Sequence, residues 1–398
     1  MSSTSAESAS LRTTHRTVTL LALAAFLGGA ALRICDGLLP RLAHDFHLTA
    51  GVAGQVVLTF SIAYGVMQLV FGPLGDRFGK ALMVCVAVLG CAALALVAAM
   101  APGFSTLLLA RAGWGMAAAG VIPLAMAWIG DAVPLHERQP TLARLLTGTL
   151  SGLMAGQLAG GLFGDSGLGW RGAFILMAAS YALVGALLLM RLPAIAAAST
   201  PATEPVPAHR QWRLVLGSRW SWRVLGAAAA EGVFLLGPMA YLPAMLHQRF
   251  ALSLSAASAM LSLYAVGGLV YAVSARLLVQ RLGQRRMVLA GGWLMGLGYL
   301  AWLVSPVMWT AGPVALLVGF GTYLYHNTLQ THATQMAPSA RGTAVSLFAF
   351  CLFSGQALGV SLAGLAFDRM GLAMVLGASA LALPPIGIGF ARALAAHL

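Results

Sequence analysis

Charged side chains are scarce: Asp, Glu, Lys and Arg together make up 8% of the 398 residues. A soluble domain carries about 25%, so this chain has too little polar surface to be solvated by water on all sides. Cysteine occurs four times (Cys35, Cys85, Cys91 and Cys351), always inside an apolar run and without the spacing of a disulfide framework or metal site. No Gly-Lys-Ser/Thr phosphate loop is present, which argues against ATP-driven work within the chain. The 8 tyrosines, 9 tryptophans and scattered serines form no nucleophile–base set, so nothing points to an enzyme. Neither a metal nor an organic cofactor is expected. Strand-like alternation is missing too.

What fills the chain instead is apolar sequence. Hydrophobic residues account for 60% and the mean hydropathy is +0.86. The apolar residues come in runs of roughly 20, the length a helix needs to cross a hydrocarbon layer. Lipid offers no partner to free backbone groups, so spans must be helices or closed barrels. With alanine and leucine dominant, helices are predicted. Spans fall near 17–39, 51–74, 81–100, 105–130, 141–164 and 169–190, then near 222–246, 255–279, 287–305, 310–335, 343–367 and 372–391. The first run is long and lacks a small-residue cleavage site, so it reads as a retained span rather than a signal peptide. The expected plan is a polar tail over 1–16, a six-helix bundle over 17–190, a connector over 191–221 and a second six-helix bundle over 222–392. Pro193, Pro201, Pro205 and Pro207 make the connector a flexible one, with a basic end (Arg210, Arg213, Arg219, Arg223) at the membrane surface.

The formal net charge is +13, yet its placement argues against nucleic acid as a partner. Arg12, Arg16, Arg77, Lys80, Arg138, Arg144, Arg191, Arg276, Arg281, Arg285, Arg286, Arg341 and Arg392, with the four connector arginines, belong to one side of the predicted layer. Only Arg41, Arg171, Arg249 and Arg369 belong to the other. By the positive-inside rule both termini and the connector are expected to be cytoplasmic, and the expected location is a cell inner membrane. A single chain with two bundles is expected to work as a monomer in contact with lipid.

The two bundles repeat one another. Asp76, Arg77, Phe78, Gly79 and Lys80 align with Gln280, Arg281, Leu282, Gly283 and Gln284 at a shift of 204, and Pro134 falls on Pro338 at the same shift. Internally repeated membrane halves are a mark of secondary transporters.

The stretch Gly72-Pro-Leu-Gly-Asp76-Arg77-Phe-Gly79-Lys80, between spans two and three, is similar to the cytoplasmic signature of the major facilitator superfamily. Arg111, followed by Gly115 and small residues, resembles that family's fourth-helix motif, with Trp114 where a glutamine is usual. Gly148, Gly152, Gly156, Gly160 and Gly161 are similar to the glycine motif of its exporters, with Gln157 in place of a proline; Gly355, Gly359 and Gly364 echo them in span eleven. The resemblance covers essentially the whole chain and implies an all-α fold of twelve spans in two pseudo-symmetric bundles. It implies alternating access, with spans one, four, seven and ten lining a central cavity and glycine faces letting helices of opposite halves rock. The likeness is nearest to the drug/metabolite proton antiporter group, also on Asp36-Gly-Leu-Leu-Pro40. Asp76, Arg77 and Lys80, with Asp131 and Arg138 after span four, become gating candidates; a charged turn that only anchors topology would look the same.

The buried charges are the candidate site. A charged residue inside a span costs roughly 2.5–3.5 kcal/mol on insertion scales, so Arg111 needs a partner. Asp36 is the expected one, with Arg33 one turn earlier completing an Arg33–Asp36–Arg111 cluster. Such a cluster either receives an anionic substrate group or fixes span one against span four. Two arginines favour the ionised form of Asp36, which works against simple proton carriage unless one disengages. Glu231, midway along span seven, has no charged neighbour in sequence, and desolvation favours its protonated form, as a proton-coupling carboxyl requires. A hydrogen-bonded neutral acid is the bland alternative. Span ten supplies Tyr323, His326, Asn327 and Gln330 as substrate-binding candidates, with His332 nearer the cytoplasm; Gln55, Tyr64, Gln68, Tyr241, Tyr264 and Tyr271 are weaker ones. Proton-coupled export of a small organic molecule or drug is the leading expectation. Symport or facilitated entry of an organic anion is the first alternative, and a non-transporting sensor or lipid-handling protein the second.

Overall fold

The computed structural model describes residues 2–197 and 208–397, so Pro201, Pro205 and Pro207 of the predicted connector lie outside the described residues. Among these the regular structure is helical throughout. Twelve rods can be followed. In the first half they are α1 (Ser2–Arg33, resumed at Leu39–Asp45), α2 (Ala50–Phe78), α3 (Lys80–Ala99), α4 (Phe104–Ala132), α5 (Leu135–Asp165) and α6 (Gly169–Met190). In the second half they are α7 (Arg219–Phe250), α8 and α9 (the two arms of Leu254–Val304), α10 (Ala311–Gln335), α11 (Arg341–Met370) and α12 (Leu372–Ala395). Among the described residues nine helical stretches are long and apolar enough to cross a membrane, the α8–α9 pair counting as one of them.

Two differences from the expected boundaries stand out. Helix α1 begins at Ser2, so the polar segment ahead of Thr17 is also helical. Helices α8 and α9 run on through the predicted loop, bent only at Gly283, whose φ is +69°. Its counterpart Gly79 has φ +89° and separates α2 from α3. A side chain at either position would be strained, because the left-handed region penalises a Cβ. Both halves therefore make the same turn with the same residue.

Within each half, glycines let helices approach closely. Gly148, Gly152, Gly156 and Gly160 of α5 lie against the carbonyls of Ala22, Phe26, Ala30 and Ile34 on α1, where an added Cβ would collide with each oxygen. Gly355 and Gly359 of α11 lie in the same way on Ala229 and Val233 of α7. The glycine motif thus packs helices of one half together, contrary to the expectation that its face slides across the divide. The reason is geometric: four-residue spacing matches the helix repeat, so one stripe stays on one neighbour over its length. Only the far end of the stripe crosses over, where Gly161 and Gly164 meet Leu254 and Ser258 of α8.

The halves meet along two seams, α2 with α11 and α5 with α8. Along the first, the rings of Tyr64 and Phe353 pack tilted against each other with centroids 4.5 Å apart. Leu192–Ala197, Ala208–Leu216 and His397 pack on one face of the bundle, the terminus face, through Trp128–Ile195, Gln211–Thr343 and Trp220–His397; the loops after α1, α5, α7 and α11 lie on the far face.

Candidate functional site

Proline breaks the two helices that carry the buried acids. A proline lacks the N–H for helical pairing and crowds the carbonyl four residues earlier. In α1 the crowded residue is Asp36, four before Pro40; the helix stops at Arg33, turns as a 3-10 segment over Asp36–Leu38 and restarts at Leu39. In α7 it is Met239, four before Pro243, with Pro238 acting on Phe234 in addition. There the helix reaches Glu231, widens into a π turn over Gly232–Leu236 and restarts twice. The Gly237 N–H bonds the Gly232 carbonyl five residues back, and the Tyr299 hydroxyl of α9 donates to the Leu235 carbonyl at 2.7 Å. Such widened turns occur mostly at functional positions.

Arg33 and Asp36 are both buried and form an ion pair, Nη1 to Oδ2, at 3.1 Å. The second guanidinium nitrogen of Arg33 lies 3.5 Å from the Met239 sulfur on α7, and its carbon is 5.8 Å from the Tyr264 ring centre on α8. Arg33 therefore belongs to the first half but touches the second.

Arg111 sits elsewhere. Its Nε donates to the Val56 carbonyl at 3.3 Å and Nη2 to the Ala31 carbonyl at 3.5 Å, while the guanidinium rests on Phe60 (4.2 Å) and Trp114 (4.9 Å). It makes no ion pair with Asp36 within 4.0 Å. Of the expected three-member cluster, Arg33 and Asp36 pair directly, whereas Arg111 interacts with Asp36 only at longer range and is held by backbone carbonyls and aromatic faces, which satisfy a planar cation without a carboxylate. Trp114, where the family motif has glutamine, is one of those faces. Asp36 Oδ1 and Arg111 Nη1 are nonetheless both buried with no protein partner.

Glu231, 1% exposed, does have a charged-group neighbour, although none is near in sequence. His326 of α10 brings Nδ1 to 3.0 and 3.1 Å from its two carboxylate oxygens. The sequence offered each residue separately; the fold brings them together across 95 positions. The same imidazole lies 5.6 Å from the Phe348 ring on α11. Elsewhere on α10, Tyr323 packs on Gly268 and stacks 6.3 Å from Tyr271, and Asn327 and Gln330 are half-buried. His332 lies in a second group near the terminus face, bonded to Gln284 at 3.0 Å and edge-on to Trp220.

The gating candidates divide. Lys80 pairs with Asp131 at 2.5 Å, joining the α2–α3 turn to the end of α4, and Arg138 Nε donates to the Val133 carbonyl at 2.8 Å. All these contacts stay within the first half. Asp76 and Arg77 are exposed, and among the described residues neither bonds the second half. On the far face the halves are in contact: the Tyr241 hydroxyl, bonded within its own half to the Val360 carbonyl at 3.0 Å, also lies 3.4 Å from the Gly51 carbonyl of α2. Three of the four arginines at that face are engaged: Arg41 with Asp45, Arg171 with the Ala101 carbonyl, and Arg249 with the carbonyls of Trp302, Leu303 and Ser305.

Residues 21–360 match the family model described as Major Facilitator Superfamily. The chain belongs to the major facilitator superfamily. It is a multi-pass membrane transporter and not an enzyme. This major facilitator is 23% identical over 347 residues to the uncharacterized MFS-type transporter YceJ of Bacillus subtilis (strain 168), covering 86% of this chain and 87% of that protein. It is 27% identical over 221 residues to the chloramphenicol resistance protein of Streptomyces lividans, covering 54% and 56%. Among solved structures it is similar to a D-xylose-proton symporter, with TM-score 0.73, 15% identity and coverage of 94% and 96%. At that identity the structural likeness speaks for the fold alone.

Other contributors were hidden from sequence reasoning. Met239, Tyr299 and Phe60 are ordinary apolar or aromatic residues among many. One signal was available for Met239, since Met239-Ala-Tyr-Leu-Pro243 repeats the pattern of Asp36-Gly-Leu-Leu-Pro40.

Proposed function

We propose that this transporter is a proton-coupled exporter of a small organic molecule, working by alternating access between a terminus face in the cytoplasm and a far face outside. The observation that carries this reading is the buried Glu231–His326 contact, which joins α7 to α10 through two titratable groups. A carboxyl and an imidazole sharing a proton exist in more than one charge state at small cost, which is what coupling to a proton gradient demands. Arg33 and Asp36 supply a second polar site touching both halves, so closing or opening the halves alters its surroundings. Substrate contacts are assigned to Arg33, Asp36, Glu231, Tyr323, His326, Asn327 and Gln330, and Arg111 holds the wall behind them. Asp76, Arg77 and Lys80, with Asp131 and Arg138, form the cytoplasmic gate in the alternate state. The likeness to a chloramphenicol resistance protein supports export. Arg33, a cation shared by the two halves, favours symport of an organic anion as the second reading.

A thermal-shift screen across amphipathic cations, sugars, organic anions and siderophore-like compounds identifies the ligand. Proteoliposomes with an imposed pH gradient then test coupling. Glu231→Gln is expected to abolish gradient-driven uphill transport while leaving substrate exchange at zero gradient. Unchanged uphill transport in both Glu231→Gln and Asp36→Asn would overturn the proposal.

A further inference from the structure

Two aspartates that the transport site does not use stand at the far face, one in each half. Asp165 ends α5, and its carboxylate reaches across to the start of α8: Oδ1 accepts from the Leu254 N–H at 3.0 Å and Oδ2 from the Ser255 N–H at 2.8 Å. Asp368, near the end of α11, reaches across to the start of α2: Oδ1 accepts from the Gly51 N–H at 3.0 Å and Oδ2 from the Thr49 hydroxyl at 2.6 Å. The arrangement is doubled by the internal repeat. Thr49 and Gly51 align with Ser253 and Ser255 at the shift of 204, and the two aspartates are 203 apart.

We propose that Asp165 and Asp368 are positioning residues for transport, forming a twofold clamp that holds the far face shut and must release before that face can open. The first turn of a helix leaves N–H groups without intrahelical partners and carries the positive end of the helix dipole. A carboxylate there makes charge-assisted bonds stronger than neutral ones. Each half gives one acid and receives one, so the halves are tied at two separated points. Between them the backbones of Gly37, Gly161 and Gly51 lie directly against Ser258, Leu254 and Gly364 of the other half.

A clamp must also let go cheaply. Both receiving helices have a cap of their own: the Thr49 hydroxyl accepts from the Val52 N–H at 3.3 Å, and the Ser253 hydroxyl from the Ala256 N–H at 3.1 Å. When the aspartates withdraw, α2 and α8 keep those caps, and water reaches the remaining N–H groups. Release therefore costs the cross-half bonds alone and leaves the helices formed. On the opposite face Asp76 and Arg77 engage nothing in the second half, so the clamp and the terminus-face gate are not closed together here. The assignment does not depend on which solute moves or on protons driving it.

The test uses the full-length transporter in lipid nanodiscs with spin labels and no substrate. One pair, on cysteines introduced at Leu168 and Gln248, reports the far face; a second, at His136 and Gly342, reports the terminus face. Native cysteines are replaced in this background. Asp165→Ala and Asp368→Ala are each expected to raise the ratio of far-open to far-closed molecules about fivefold, the double variant roughly 25-fold, with the terminus-face distance shortening in step. The Asn variants, which keep one acceptor, should move the ratio less. Thr49→Val, which removes one donor to Asp368 at nearly constant volume, should shift it in the same direction and guards against a double variant that fails to fold. Far-face distances unchanged in Asp165→Ala, Asp368→Ala and Thr49→Val would overturn the clamp. So would a change at the far face with no matching change at the terminus face, which would mark local fraying.

Discussion

Arg33 and Arg111 look alike in sequence, both lone cations in apolar helices, and the structure separates their work. Arg111 spends its guanidinium on the carbonyls of Val56 and Ala31 and on the faces of Phe60 and Trp114, all within the first half. A lysine cannot make that fork or stack as a plane. Hydrogen bonds from a buried charged group are worth about 1.5–3 kcal/mol each in net terms. Arg111→Lys is therefore expected to lower stability by about 2–3 kcal/mol, seen as a fall in Tm in detergent. Arg33 has one carboxylate partner and a soft sulfur contact across the divide. Arg33→Lys keeps the pairing to Asp36 and should leave Tm nearly unchanged while weakening transport. Equal effects of the two substitutions on Tm would show that both arginines are architectural. Nothing in the sequence could tell them apart, because what separates them is the carbonyls and rings they meet, contributed by other helices.

At the scale of the helix, most of the architecture was legible and the interruptions were not. Length and hydropathy located the rods, because lipid leaves a 20-residue apolar run no other structure. Gly79 and Gly283 marked the same turn in each half. The π turn after Glu231 was invisible, since a widened turn needs only a proline and a hydroxyl from a distant helix, here Tyr299. The glycine stripe of α5 was legible as a packing face but its partner was misplaced, because spacing reveals a face and not what lies against it. Gly152 makes the point testable. A Cβ there would strike the Phe26 carbonyl, so α5 and α1 would have to separate, and overpacking of this kind costs roughly 1–3 kcal/mol. Gly226 of α7 has nothing within 4 Å of an added Cβ. Gly152→Ala is expected to reduce Tm and folded yield, and Gly226→Ala to hold or raise both, alanine being favoured in a helix interior by about 0.5–1 kcal/mol. Matching outcomes would remove close approach as the reason for glycine at 152.

Across the whole molecule the repeat organises both faces, but not equally. The terminus-face signature keeps its acid in the first half (Asp76) and loses it in the second (Gln280), whereas the far face keeps an acid in both (Asp165, Asp368). The first asymmetry was plain in sequence. The second symmetry escaped because the bonded partners lie 89 and 317 residues apart, and a lone aspartate at a helix end gives no local sign of a partner in the other half. This distribution sets the pH response of the closed far face. Burial raises the Asp165 carboxyl, but the hydrogen bonds from Ser255 and Leu254, aided by the nearby His247, outweigh it and hold the group below its ordinary value. A depressed carboxyl contributes stability that is fully present above its free value, near 3.9, and is lost as pH falls through the held value. The Asp165 arm of the clamp should therefore be indifferent to pH between about 8 and 5 and weaken only below about pH 4. Spin-label distances between positions 168 and 248 followed across that range provide the check. Acid-driven transitions at the far face between pH 7 and 5 would mean that a different group holds it shut.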